Sequence, residues 1–194
     1  MFDVPRFMNL LQTILILAAA FLAVFGEAVL AVPRAWFGAQ VDLLPALMVY
    51  AALNTDIVTV SLLAVFGGLW FDALSANPPG VTILPLFIVG FMIWLQRELI
   101  LRDLPFAQLV LGAMAGAITP ALSVLLLLTL GQQPLLGWGS IWQWLVMTAG
   151  SALAAPVIFV LFNWCQHAFG YQPHTEISFR PDREIQRDRN LKLE

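Results

Sequence analysis

Six apolar stretches separated by short breakers decide what this chain can fold into. A hydrocarbon layer about 30 Å thick is crossed by about 20 apolar residues in helical form. Against that ruler the sequence divides into Leu10 to Val32, Asp42 to Asn54, Ile57 to Leu74, Val81 to Leu95, Phe106 to Leu130 and Ile141 to Trp164. The first stretch is interrupted only by Glu27 and closed by Pro33. The second is short, and either gains length from Trp36 and Phe37 upstream, tilts, or occupies a protected position. Only Thr55 and Asp56 separate it from the third, so these two form an antiparallel hairpin. The run Ser75-Ala76-Asn77-Pro78-Pro79-Gly80 and the run Gly131-Gln132-Gln133-Pro134 supply the longer breaks. The expected fold is all-α: a polytopic membrane protein with six transmembrane helices in a compact bundle over residues 1–170, followed by a cytoplasmic C-terminal tail over 171–194.

Composition supports the membrane reading. The 194 residues are 60% hydrophobic and 11% charged, with a mean hydropathy of +0.86, whereas a soluble domain is about 45–50% apolar and about 25% charged. The net charge of -3 provides no basic surface for a nucleic-acid backbone. Cys165 has no second cysteine to pair with, and His167 and His174 form no ligand cluster, so neither metal nor cofactor is expected. The first apolar run exceeds the about 7–15 residues of a signal-peptide core and reads as a retained helix.

Lysine and arginine in short loops stay on the cytoplasmic side. With six spans, one side carries Arg6, Arg97, Arg102 and the five basic residues of the tail, eight in all, and the other carries Arg34 alone. Both termini are therefore expected in the cytoplasm and the Ser75 to Gly80 loop outside. Trp36, Trp70, Trp138, Trp142 and Trp144 then fall at the outer interface, with Trp94 and Trp164 at the inner one. The tail balances its five basic residues against five acidic ones, which suits a solvated extension better than a lipid-binding polybasic segment.

Chemistry inside a membrane requires convergent polar groups. The spans offer Glu27, Asp42, Asn54, Asp56 and Asp72, with no His, Lys or Arg deep in any of them. No enzyme activity is expected. Glu27 reads as a structural or interfacial carboxylate, with proton coupling as the alternative. On the third segment Ser61, Ala64, Val65, Gly68, Asp72 and Ser75 recur at steps of three and four, with Leu62, Phe66, Leu69 and Ala73 round the cylinder from them. Such a stripe lets another helix approach closely, either of this chain or of a partner. Gly112 with Gly116, and Gly150 with Ala154, are further small pairs. Pro85, Pro120 and Pro156 lie inside the last three spans and are expected to kink them. For Asp72 two accounts stand: a cap on the amides near Gly80 and Val81, or a contact to a partner.

The run Gly67-Gly68-Leu69-Trp70-Phe71-Asp72-Ala73-Leu74-Ser75, then Pro79-Gly80-Val81 and an apolar helix, resembles a segment of the rod shape-determining protein MreD family. Asp42-Leu43-Leu44-Pro45 ahead of an apolar run is similar to that family's proline-led second helix. The resemblance covers about a quarter of the chain, from Asp42 to Gly90; Pro78-Pro79 and the long tail depart from the pattern. It implies a non-enzymatic subunit of the bacterial cell-elongation machinery in the cytoplasmic membrane. Its partner would be an MreC-like bitopic protein and, through it, a SEDS polymerase, a class B penicillin-binding protein and MreB, with membrane lipid around it. Gly68, Asp72, Ser75 and Gly80, which lie in the resembling segment, and Glu27, the carboxylate of the first span, are the interaction candidates. The family is similar in fold to the substrate-binding subunits of energy-coupling-factor vitamin transporters. That makes vitamin binding the alternative, with Ala19 and Ala23 as the contact to a transporter subunit.

Overall fold

A computed structural model describes residues 4–29, 38–75, 77–100, 104–132 and 137–168, with side chains between Leu10 and Gln166. The expectations placed on Val32, Pro33, Arg34, Trp36, Arg102, Pro134 and the 171–194 tail lie outside the described residues, as do the side chains of Arg6 and His167. The described residues form six helices and no strand: α1 Val4–Val29, α2 Leu44–Asn54, α3 Ile57–Leu74, α4 Ile83–Leu95, α5 Pro105–Thr129 and α6 Trp138–Ala168. Four segments are long and apolar enough to cross a membrane, namely Leu10–Val29, Ile57–Leu74, Pro105–Thr129 and Trp138–Gln166. The other two helices, α2 with 11 residues and α4 with 13, are shorter. Leu22, Leu145, Leu153, Val157 and Val160 are each more than half exposed, a surface that soluble monomers rarely present and that lipid tails cover without penalty.

The short second helix is the centre of the bundle. Every residue from Leu44 to Leu53 is buried, and α2 packs against all five other helices. Pro45 sits in its first turn, where the missing N–H costs no hydrogen bond. The Ala, Leu and Met that follow are strong helix formers. At about 1.5 Å per residue α2 is about 16 Å long, and its shortness is tolerated because protein rather than lipid surrounds it. Tyr50 anchors it to α6: its ring stacks on Phe162 at 4.4 Å and meets Phe159 edge-on at 5.0 Å. Its hydroxyl accepts a hydrogen bond from Gln166 Nε2 at 3.0 Å.

Small residues set the other contacts. α5 and α6 form the most extensive helix pair, and the glycine pair on α5 makes it possible. A Cβ on Gly112 would lie 2.6 Å from the Ser151 carbonyl oxygen, and one on Gly116 would lie 2.6 Å from Ser151 Cβ. Gly150 approaches Val41 rather than a helix, since its Cβ would lie 2.5 Å from Val41 Cγ1. On α3 the buried stripe is Val60, Ala64, Gly67, Gly68 and Asp72. Val65, expected on that stripe, is 44% exposed: the helix turns its narrow face toward α2 and α4, which puts Val65 on the outer flank. The stripe is used within the chain. Gly67 faces Leu44, and Gly68 faces the backbone of Ile83.

The prolines divide into two cases. Pro120 and Pro156 lie inside continuous helices, and each deprives the carbonyl four residues earlier of its donor. Pro85 is the third residue of α4, where no intrahelical N–H partner exists to be lost. The kink expected there has no cause.

Candidate functional site

Polar groups gather at one end of the bundle, where α1 ends, α2 begins and the α3–α4 and α5–α6 connections lie. The N-terminus of α2 holds two carboxylates. Glu27 Oε1 accepts the Leu43 amide at 2.7 Å, and Asp42 Oδ1 accepts the Leu44 amide at 2.9 Å. These oxygens satisfy amides at the helix start that have no intrahelical partner. Ser151 donates its hydroxyl to the Asp42 carbonyl at 2.8 Å. Gln143 closes a two-way pair with Gln40, accepting its amide at 3.0 Å and donating to its carbonyl at 2.8 Å. These bonds fasten the 38–43 approach to α2 onto α6. The opposite end of α2 is served by a cation: Arg97 donates to the Thr55 carbonyl at 3.1 Å, with its guanidinium 5.0 Å from the centre of the Trp94 ring.

Asp72 organises the α3–α4 connection. Although only 2% exposed, it is fully engaged. Oδ2 accepts the Gly80 amide at 2.7 Å and the Thr82 amide at 3.1 Å, while Oδ1 accepts the Thr82 hydroxyl. Gly80 has φ +97°, a backbone region that suits glycine, and this conformation turns its N–H back toward α3. The Ser75 hydroxyl donates to the Asp72 carbonyl at 3.3 Å. A Cβ on Gly68 would lie 2.9 Å from both the N and Cα of Ile83, so the glycine admits the start of α4 against α3. Gly68, Asp72, Ser75 and Gly80 thus form one local unit, whose acceptors serve Gly80 and Thr82, not the Val81 amide, which donates to Pro78. Glu27 stands apart from this unit, at the start of α2.

Beside it opens a cavity of about 920 Å³, between the 77–82 connection, the C-terminal half of α5 and the N-terminal half of α6. Its walls are mainly apolar, with Phe71, Val124, Leu127, Ile141, Trp144 and Met147 among them. Asp42, Thr82, Thr119 and Gln143 supply polar groups. Thr119 is 2% exposed, and its hydroxyl has no hydrogen-bond partner among the described residues. Trp144 donates its ring N–H to the Ala117 carbonyl at 2.8 Å, bracing the two walls. The volume lies within the about 300–1,000 Å³ typical of small-molecule sites.

Thr82, Thr119, Gln143 and Ser151 carry no local signal in the sequence that would single them out. Among the described residues no group of three or more His, Cys, Asp or Glu side chains is placed to hold a metal ion. Compared with protein-family models, with curated proteins and with solved structures, the chain matches none.

Proposed function

We propose that this chain is a membrane-embedded, non-enzymatic subunit of the bacterial cell-elongation machinery, akin to MreD, in the cytoplasmic membrane with both termini in the cytoplasm. It would bind an MreC-like bitopic protein and thereby support peptidoglycan synthesis by a SEDS polymerase and a class B penicillin-binding protein along MreB. What supports the reading is the coherence of the residues that carry the resemblance: Gly68, Asp72, Ser75 and Gly80 build one hydrogen-bonded junction between two apolar helices. A motif that builds a fold element can be shared across a family for that reason alone. The partner surface therefore need not coincide with these four residues.

The cavity favours a second reading, in which the chain is the substrate-binding subunit of an energy-coupling-factor transporter. Depletion in the host separates the two. The elongation reading requires rods to round up and the tagged protein to copurify with a single-span periplasmic coiled-coil protein. Unchanged rods, together with saturable vitamin binding by the purified chain, transfer the assignment to the transporter.

A further inference from the structure

We propose that the cavity between α5, α6 and the 77–82 connection is a binding site for a single-chain amphiphile whose head donates hydrogen bonds, an alkyl amine or alcohol. The proposal stands independently of the cell-elongation reading.

Three observations converge on it. The first is shape and chemistry: about 920 Å³ bounded mainly by apolar side chains suits a hydrocarbon body more than a column of water. The second is the buried polar pair. Asp42 and Thr119 both line the cavity and are 3% and 2% exposed. The Thr119 hydroxyl is without a partner among the described residues. Asp42 gives Oδ1 to the Leu44 amide, and its other oxygen takes no hydrogen bond among the described residues. Polar groups this deeply placed ordinarily find partners, and a ligand head supplies them.

The third observation decides the head. Gln143 has both amide atoms committed to Gln40, and the Thr82 hydroxyl is committed to Asp72. The described lining holds a carboxylate and no Lys or Arg. Asn77, the Thr119 hydroxyl and the second amide hydrogen of Gln143 can donate as well, so charge decides. Beside a carboxyl group and with no Lys or Arg in the described lining, an amine or hydroxyl head is matched, and a phosphate or sulfate head finds no cation.

Trp144 on the cavity wall gives the assay its reporter. The full chain in phosphatidylcholine nanodiscs is titrated with terminally brominated undecylamine and with the brominated undecyl sulfate, and tryptophan quenching is followed. Saturable quenching by the amine is expected, weakened about tenfold or more for the sulfate, with the saturable component missing in Trp144→Phe. Thr119→Val should weaken the amine several-fold and leave the maximum quench intact. Ala121→Phe, which fills the cavity from an exposed wall position, should abolish the saturable component without touching either polar group. Linear, non-saturating quenching that is equal for both probes and unchanged in Ala121→Phe is partition into surrounding lipid and overturns the proposal. So does tighter binding of the sulfate. Saturable binding of a vitamin that Ala121→Phe abolishes and the amine does not displace also overturns it, while leaving the transporter reading standing.

Discussion

Replacing Asp72 tests whether the junction between α3 and α4 is held by one carboxylate. Asp72→Leu keeps the branched outline of the side chain but puts two larger methyl groups where oxygens accept hydrogen bonds, so crowding adds to the hydrogen bonds lost. It strands the buried Thr82 amide, releases the Thr82 hydroxyl, and leaves the half-buried Gly80 amide to find water. An unsatisfied buried donor costs about 1–3 kcal/mol and a partly solvated one less, so the loss is about 2–4 kcal/mol. Asp72→Asn keeps an acceptor oxygen for the two amides. Its NH2 faces the Thr82 hydroxyl, which can reverse from donor to acceptor, and the loss is about 1 kcal/mol. Purified in one detergent at one protein concentration, the variants should melt in the order wild type, asparagine, leucine, with leucine clearly lowest. Thr82→Val provides the internal check, because it removes the same hydroxyl contact and should be less than additive with Asp72→Asn. Equal melting of all three proteins, with loss of a copurifying partner from the variants, would falsify the capping argument and make Asp72 a contact residue.

Topology follows from the basic residues: a cysteine at Asn77 should react with an impermeant reagent in intact spheroplasts and one in the 171–194 tail should not, and the reverse pattern refutes it. The glycine seam between α5 and α6 predicts that Gly116→Leu, which drives a side chain into Ser151, lowers yield and melting temperature sharply. Gly139→Leu, at a position with no heavy atom within 4 Å of the added Cβ, should leave both unchanged. Equal behaviour of the two variants contradicts the packing described.

Helix placement was legible because it is set by local composition against a fixed thickness. The third segment was expected at Ile57 to Leu74 and found there; the fourth begins two residues later than expected, at Ile83, because Thr82 is held in the Asp72 junction. That junction was legible in part: a cap on the Gly80 amide was one of the two accounts of Asp72, whereas its second partner is Thr82 and not the expected Val81. The cavity was not. Gln40 meets Gln143 across 103 residues of sequence, and Asp42 meets Ser151 across 109. Such pairings depend on how helices pack, and an isolated serine or threonine in an apolar run reads the same whether it caps, back-bonds to its own helix or lines a pocket. The exposure of Val65 was missed for a related reason: three- and four-residue spacing defines a stripe about 100° wide, and its edge is set by the neighbour that packs there.

The enclosure of α2 bears on how the chain is made. A helix of 11 residues cannot bridge a bilayer about 30 Å thick, so lipid alone gives it no stable resting place. While the chain is being inserted, α2 has only α1 ahead of it; α4, α5 and α6, which later enclose it, have yet to emerge. Its capping groups arrive at different times as well: Glu27 and Asp42 precede it, whereas Arg97, which meets its C-terminal end, follows more than forty residues later. The innermost element of the finished bundle is consequently among the first synthesised and the last to acquire its full surroundings. Chains truncated before α5 should hold this segment poorly and be the form that cellular quality control removes.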